Sequence, residues 1–280
     1  LLSLLLHILN LYEQTKIVCY FYTKSNYMWI KKQVPNIITL FNLFFGCIAV
    51  IFAVGGNLEL AALFVGLGIF FDFFDGFAAR ALNAQSELGL QLDSLADMVT
   101  SGVAPGIIMY QLLSQVFGKP FYVVPNSWDF GQTFASFDLS YISLIGLFVT
   151  LASAYRLAKF NIDTRQTTSF IGLPTPANTL LIMSLPLILK FQSDPWIVAI
   201  LLNKWFLISL TFISCYLLNA EIPLFALKFK TWGFAENKVR YIFLLCTILL
   251  IVVLKFMAIP CIIFLYVLMS LFSKGKSVSE

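Results

Sequence analysis

Long apolar runs separated by short polar breaks dominate the chain. Eight of them have the continuity of membrane helices: approximately Ile37–Val54, Leu60–Ala79, Gly89–Phe117, Tyr141–Phe160, Pro174–Phe191, Trp196–Leu218, Val239–Lys255 and Ile259–Phe272. A helix needs about 20 apolar residues to cross the hydrocarbon core, and the last two runs are short by that measure. The pattern predicts an all-α fold, a polytopic membrane helix bundle of about eight spans. It contains no internal repeat, and no polar stretch is large enough for a separate soluble domain.

The chain opens on Leu1, and its first methionine is Met28. The apolar run Leu1–Tyr12 is interrupted by Glu13 and Lys16 before it reaches a membrane-crossing length. It lacks a basic leader and a small-residue cleavage site, so it does not read as a secretory signal. Residues 1–27 are expected either to precede a natural start at Met28 or to form a peripheral helix lying on the membrane.

Composition strengthens the membrane reading. Of 280 residues, 60% are hydrophobic and 11% charged, against about 25% charged in ordinary soluble domains. The net charge of +4 would suggest anionic partners in a soluble protein, but here the bases flank apolar runs, and no nucleic acid is expected. Lys31, Lys32, Arg80, Arg156, Lys159, Arg165, Lys228, Lys230, Lys238, Arg240, Lys274 and Lys276 all fall on one side when the spans alternate. The positive-inside rule then puts that side, with both termini, in the cytoplasm. Lys204 and Lys255 fit this orientation less well and would have to snorkel to an interface. The five cysteines form no Cys-x-x-Cys pair, and His7 is the single histidine. Zinc sites and histidine bases are therefore disfavoured.

The chemistry-bearing stretch runs from Asp72 to Asp97, DFFDGFAARALNAQSELGLQLDSLAD. A carboxylate at the edge of a membrane helix costs several kcal/mol unless it is paired or bound to a cation. Asp72 and Asp75 are three residues apart, and Asp93 and Asp97 four apart, so each pair shares a helix face. The link of roughly Ala81–Leu88 is short, which makes the two helices antiparallel and brings the pairs together. Four carboxylates with no sulfur or imidazole nearby select a hard divalent ion, Mg²⁺ or Mn²⁺ with Ca²⁺ possible. They suffice for two such ions, the arrangement that clamps a phosphoryl group during in-line displacement. Gly76, Ala79 and Gly89 leave room for a bulky ligand, or else let helices pack closely; Arg80 is a cation suited to phosphate oxygens. Intramembrane acids also line cation transport paths, but these cluster at one face, and spans four to eight contain none.

Asp72, Asp75, Gly76, Ala79, Arg80, Gly89, Asp93 and Asp97 fill every fixed position of D-x₂-D-G-x₂-A-R-x₈-G-x₃-D-x₃-D. On that pattern the chain resembles the CDP-alcohol phosphatidyltransferase family, over about residues 28–218. The resemblance implies a six-helix core, here followed by two C-terminal spans and a tail in residues 219–280. It also implies a homodimer in the inner (cytoplasmic) membrane, with the site open to the cytoplasm. By the same resemblance Asp72, Asp75, Asp93 and Asp97 hold two Mg²⁺ or Mn²⁺ ions, and Asp97 is the general base. Gly76, Ala79 and Arg80 then lie against the CDP moiety, joined by Thr39 and Asn42 of PNIITLFNLFFG.

Within the family, DSLADMVTSGVAPG, RLAKFN and GLPTPAN are similar to the members that use serine. They imply transfer of a phosphatidyl group from CDP-diacylglycerol to L-serine. Arg156, Lys159 and Asn161, at the cytoplasmic end of span four, are the candidates for the acceptor or the substrate phosphates. Another acceptor, such as glycerol phosphate, inositol phosphate or an amino alcohol, stays open at this stage.

Overall fold

A computed structural model describes residues 31, 33–118, 141–163, 170–225, 233 and 237–273. The proposed N-terminal extension, the long loop after span three and several of the basic flanks, including Arg165, Lys228, Lys230, Lys274 and Lys276, lie outside those residues. The helices are α1 (Gln33–Val54), α2 (Leu58–Ala81), α3 (Glu87–Asp97), α4 (Ala104–Val116), α5 (Phe148–Ile162), α6 (Thr175–Phe191), α7 (Pro195–Leu201), α8 (Lys204–Asn219), α9 (Lys238–Leu254) and α10 (Ala258–Ser273). A π-helical turn, Met98–Val103, joins α3 to α4, and a 3₁₀ turn, Tyr141–Leu147, leads into α5. The one ladder among the described residues is a two-residue antiparallel pair, β1 (Phe170–Ile171) with β2 (Pro223–Leu224). The fold is an all-α membrane helix bundle.

All eight apolar segments are helical, apart from the end residues Phe117 and Pro174 and a break at Leu202 and Asn203. By length and apolarity alone four helices are able to cross a membrane: α1, α2, Tyr141–Ile162 and Lys238–Phe272. The bent pair α7–α8 makes a fifth if counted as one span. The predicted sixth span is thus kinked by 57°. The cause is local: the Asn203 side chain caps α8 by accepting from the Trp205 N–H at 2.9 Å, which starts a new helix inside a continuous apolar run. The 35-residue stretch Lys238–Phe272 folds back at Lys255, whose φ is +51°. The Phe243 and Tyr266 rings meet across the resulting hairpin at 5.7 Å. Gln192, just past α6, closes that bend. Its Nε2 donates to the Leu254 carbonyl and its Oε1 accepts from the Met257 N–H, both at 3.0 Å.

α4 is the axis of the bundle. Ile108, Met109, Leu112 and Leu113 are fully or almost fully buried and pack with Ile182, Leu185 and Ile188 of α6 and Leu207 of α8. Small residues let the helices approach, as expected where lipid offers no hydrophobic drive between them. A side chain at Gly146 would run into the backbone of Met109 and Tyr110, and one at Gly106 into Thr150. Gln111 on α4 donates to the Ala53 and Val54 carbonyls at 3.0 and 3.1 Å, satisfying carbonyls of the last turn of α1. The opposite ends of α2 and α6 are tied by Lys190 and Glu59 at 3.1 Å.

Candidate active site

Both aspartate pairs come to one end of the bundle because the α2–α3 connection is tight. After α2 the Leu82 and Ala84 N–H groups return to the Ala78 and Ala79 carbonyls, each at 2.9 Å, and Asn83 adopts a left-handed φ of 49°. Ser86 then caps α3 by accepting from the Gly89 N–H at 3.0 Å, a contact of the kind that stabilises by about 1 kcal/mol. The chain reverses direction, and carboxylate oxygens of Asp72, Asp75 and Asp93 all lie within 4.8 Å of one another.

Asp75 Oδ2 and Asp93 Oδ1 are buried and accept no hydrogen bond among the described residues. Buried carboxylate oxygens left that way are costly unless a cation meets them. The donor set is all carboxylate oxygen, which suits a hard divalent ion. Asp72, Asp75 and Asp93 therefore fit a divalent metal ion. Asp97, one turn beyond Asp93, is buried and stands outside that triad. It lies within reach of Asp72, and its Oδ1 accepts from Asn42 Nδ2 at 3.2 Å.

Two cavities flank α3 and share Leu90 and Asp93 in their walls. The larger, about 500 Å³, is lined by Asn36 and Thr39 of α1, Asp75, Gly76 and Ala79 of α2, the α2–α3 turn, and Gly89 of α3. The Thr39 hydroxyl donates to the Pro35 carbonyl at 3.0 Å and lies beside Asp75. At Gly76 the nearest atom an added Cβ would meet is the Arg80 guanidinium at 3.7 Å, so helix packing does not require this glycine. Arg80 is exposed and folds back along α2 to reach it. Gly89 differs: a Cβ there would lie 3.1 Å from Ser86 Oγ and 3.2 Å from Asn36 Oδ1, so close packing accounts for it.

The smaller cavity, about 230 Å³, lies between α3, the end of α5 and the start of α6. Asp93, Ser94, Asp97, Arg156, Asn161 and Thr175 line it. Arg156 is only 5% exposed. Its Nε donates to the Leu173 carbonyl at 2.9 Å and its Nη2 to the Gly172 carbonyl at 3.5 Å, and no carboxylate pairs with it among the described residues. Asn161 Nδ2 donates to Ser94 Oγ at 2.9 Å.

The remaining sequence-predicted residues stand apart from the cavities. Lys159 turns to Glu221, 3.4 Å away, and Asn42 is fully buried between α1 and α3. Sequence reasoning missed Ser94 and Thr175. Their signal was position: Ser94 sits between two predicted metal ligands, and Thr175 between the two prolines of GLPTPAN.

Comparison with known proteins places this geometry in a family. A family model described as CDP-alcohol phosphatidyltransferase matches residues 32–214, from the start of α1 into α8. The chain is 34% identical to the CDP-diacylglycerol–serine O-phosphatidyltransferase of Bacillus subtilis, over 60% of its own length and 80% of that protein. It is 34% identical to the protein of the same name from Helicobacter pylori strain J99, over 53% of this chain and 55% of that one. The archaetidylserine synthase of Methanothermobacter thermautotrophicus is 28% identical over 54% of this chain and 56% of its own. The chain thus spans most of the Bacillus relative and about half of the other two. The matched region contains both aspartate pairs and the walls of both cavities, and the chain belongs to the CDP-alcohol phosphatidyltransferase family.

Proposed function

We propose that this protein transfers the phosphatidyl group of CDP-diacylglycerol to the hydroxyl of L-serine, giving phosphatidylserine and CMP. The observation that carries the reading is the pair of unequal cavities meeting at one carboxylate, Asp93. The names of the three relatives support serine as the acceptor: they differ in the lipid they mention and agree on serine.

On this reading the larger cavity receives the CDP moiety, with the backbone open at Gly76 and Ala79, Thr39 on the facing wall, and Arg80 near the phosphates. Asp72, Asp75 and Asp93, with Asp97 beside them, would hold two divalent ions, Mg²⁺ or Mn²⁺. Bound there, such ions would supply positive charge to offset what develops on the diphosphate as CMP leaves. Serine occupies the smaller cavity. Arg156 is the buried cation there and meets the serine carboxylate, while Asn161 and its partner Ser94 offer polar contacts. The serine oxygen attacks the lipid-side phosphorus, the bond from that phosphorus to the CMP oxygen breaks, and the serine hydroxyl proton passes to Asp97.

The same reading puts the site on the cytoplasmic side of the inner membrane. Support comes from Lys31, Arg80, Arg156 and Lys159, which flank the end of the bundle that carries the aspartates. A homodimer is expected from the family resemblance. The test is an acceptor panel: purified protein, CDP-diacylglycerol and Mn²⁺, with CMP release followed for serine, glycerol phosphate, inositol phosphate and an amino alcohol. Serine is expected to be preferred by about 100-fold or more, since a site built for a substrate's polar groups rejects analogues lacking them. Equal or faster release with another acceptor overturns the proposal.

A further inference from the structure

Asn42 has no place in either cavity wall, yet it is fully buried and touches Asp97. We propose that Asn42 is a positioning residue that fixes the orientation of the Asp97 carboxylate, and not a ligand of the nucleotide. The inference rests on the reading of Asp97 as the general base.

The contacts converge from three elements. Asn42 Nδ2, on α1, donates to Asp97 Oδ1 at 3.2 Å. The Asn42 backbone carbonyl accepts from Thr100 Oγ1 at 3.1 Å. Thr100 lies in the π-helical turn that starts directly after Asp97, so the contact ties the far side of Asp97 to the residue that holds its carboxylate. Single π turns inside α-helices are common at functional sites.

Two glycines make this cradle close. A Cβ at Gly68 on α2 would lie 2.6 Å from Thr100 Cγ2 and 3.0 Å from Asn42 Oδ1, and one at Gly46 on α1 would collide with Thr100 Oγ1. The π turn is itself anchored from the other side. Thr150 Oγ1 donates to the Gly102 carbonyl at 3.0 Å, and Thr179 Oγ1 shares its proton between the Ser101 carbonyl at 3.1 Å and the Thr175 carbonyl at 2.9 Å.

A carboxylate needs such help. The last torsion of an aspartate side chain is broad and roughly two-fold, so an unheld carboxylate samples many directions. Orientation of the accepting oxygen enters the barrier directly. A neutral amide fixes one oxygen without pairing its charge, which leaves the group able to take a proton.

Asn42→Leu keeps the approximate volume and removes the donor. It is expected to lower kcat by about 10–100-fold, the range for losing a hydrogen bond to a charged group. KM for CDP-diacylglycerol and the affinity for Mn²⁺ alone, read by spin resonance, should stay within about twofold. Unchanged kcat, or a raised KM for CDP-diacylglycerol with unchanged kcat, overturns the proposal. Should Asn42→Leu not fold, Thr100→Val decides. It removes only the anchor on Asn42, and a kcat lowered about two- to tenfold with unchanged KM supports the role, whereas wild-type kcat overturns it. Asp97→Asn separates the two layers of the argument. If it retains activity, the base reading itself fails; if it is inactive while Asn42→Leu turns over normally, only the positioning role fails.

Discussion

The two cavities beside Asp93 are built from different materials. The larger one is walled by α1, α2 and their turn into α3, and its recurring residues are small: Gly76, Ala79, Ala84 and Gly89. The smaller one is walled by α3, α5 and α6 and gathers a buried guanidinium, an amide and two hydroxyls around two carboxylates. One side offers backbone and space; the other offers convergent polar groups in less than half the volume. A large, flexible ligand that brings its own charges needs the first kind of wall. A small acceptor with one hydroxyl to present needs the second, because few atoms must define its pose. The shared wall is where the two would react.

Perturbations graded by side can break or sharpen this contrast. Chelating divalent ions acts at the shared wall and should stop turnover entirely, with Mg²⁺ or Mn²⁺ restoring it; full activity in chelator would remove the common centre. Next in size is Arg156→Gln. It should raise KM for serine by about 10–100-fold, as for loss of charge-assisted hydrogen bonds, and leave KM for CDP-diacylglycerol within twofold. A matching rise for the lipid would mean that the guanidinium serves both sides. Gly76→Leu fills the open wall and should raise KM for CDP-diacylglycerol by about tenfold with serine unaffected, since overpacking typically costs 1–3 kcal/mol. Lys159→Ala should change neither constant by more than about twofold, because its partner Glu221 is largely exposed and such pairs contribute little. A large effect there would extend the smaller site beyond its present wall.

The main outline of the site was legible in the chain because it rests on short-range spacing. Asp72 with Asp75 and Asp93 with Asp97 share helix faces by periodicity, and the brevity of the link forces the reversal that brings three of them within 4.8 Å. What stayed hidden depends on contacts distant in sequence or on helix irregularity. Nothing local in PNIITLFNLFFG says that Asn42 meets a residue 55 positions away, and the π turn after Asp97 leaves no mark in an apolar run. The kink at Asn203 was masked in the same way, although Asp194, Pro195 and Asn203 are ordinary helix-start residues. Arg156 was legible as a cation at the end of span four; that it is buried, with Gly172 and Leu173 taking two of its nitrogens, was not, because it depends on how the loop before α6 folds.

The hairpin of α9 and α10 keeps only 11% of its apolar window inside the chain. Among the described residues its remaining surface rests on no other helix, so acyl chains suit it as a packing partner. Extraction replaces those chains with detergent tails, and tails too short to wet the hairpin leave Val252, Val253 and Leu245 facing water. Tail length is then the first variable to adjust when the protein is purified, ahead of salt or buffer.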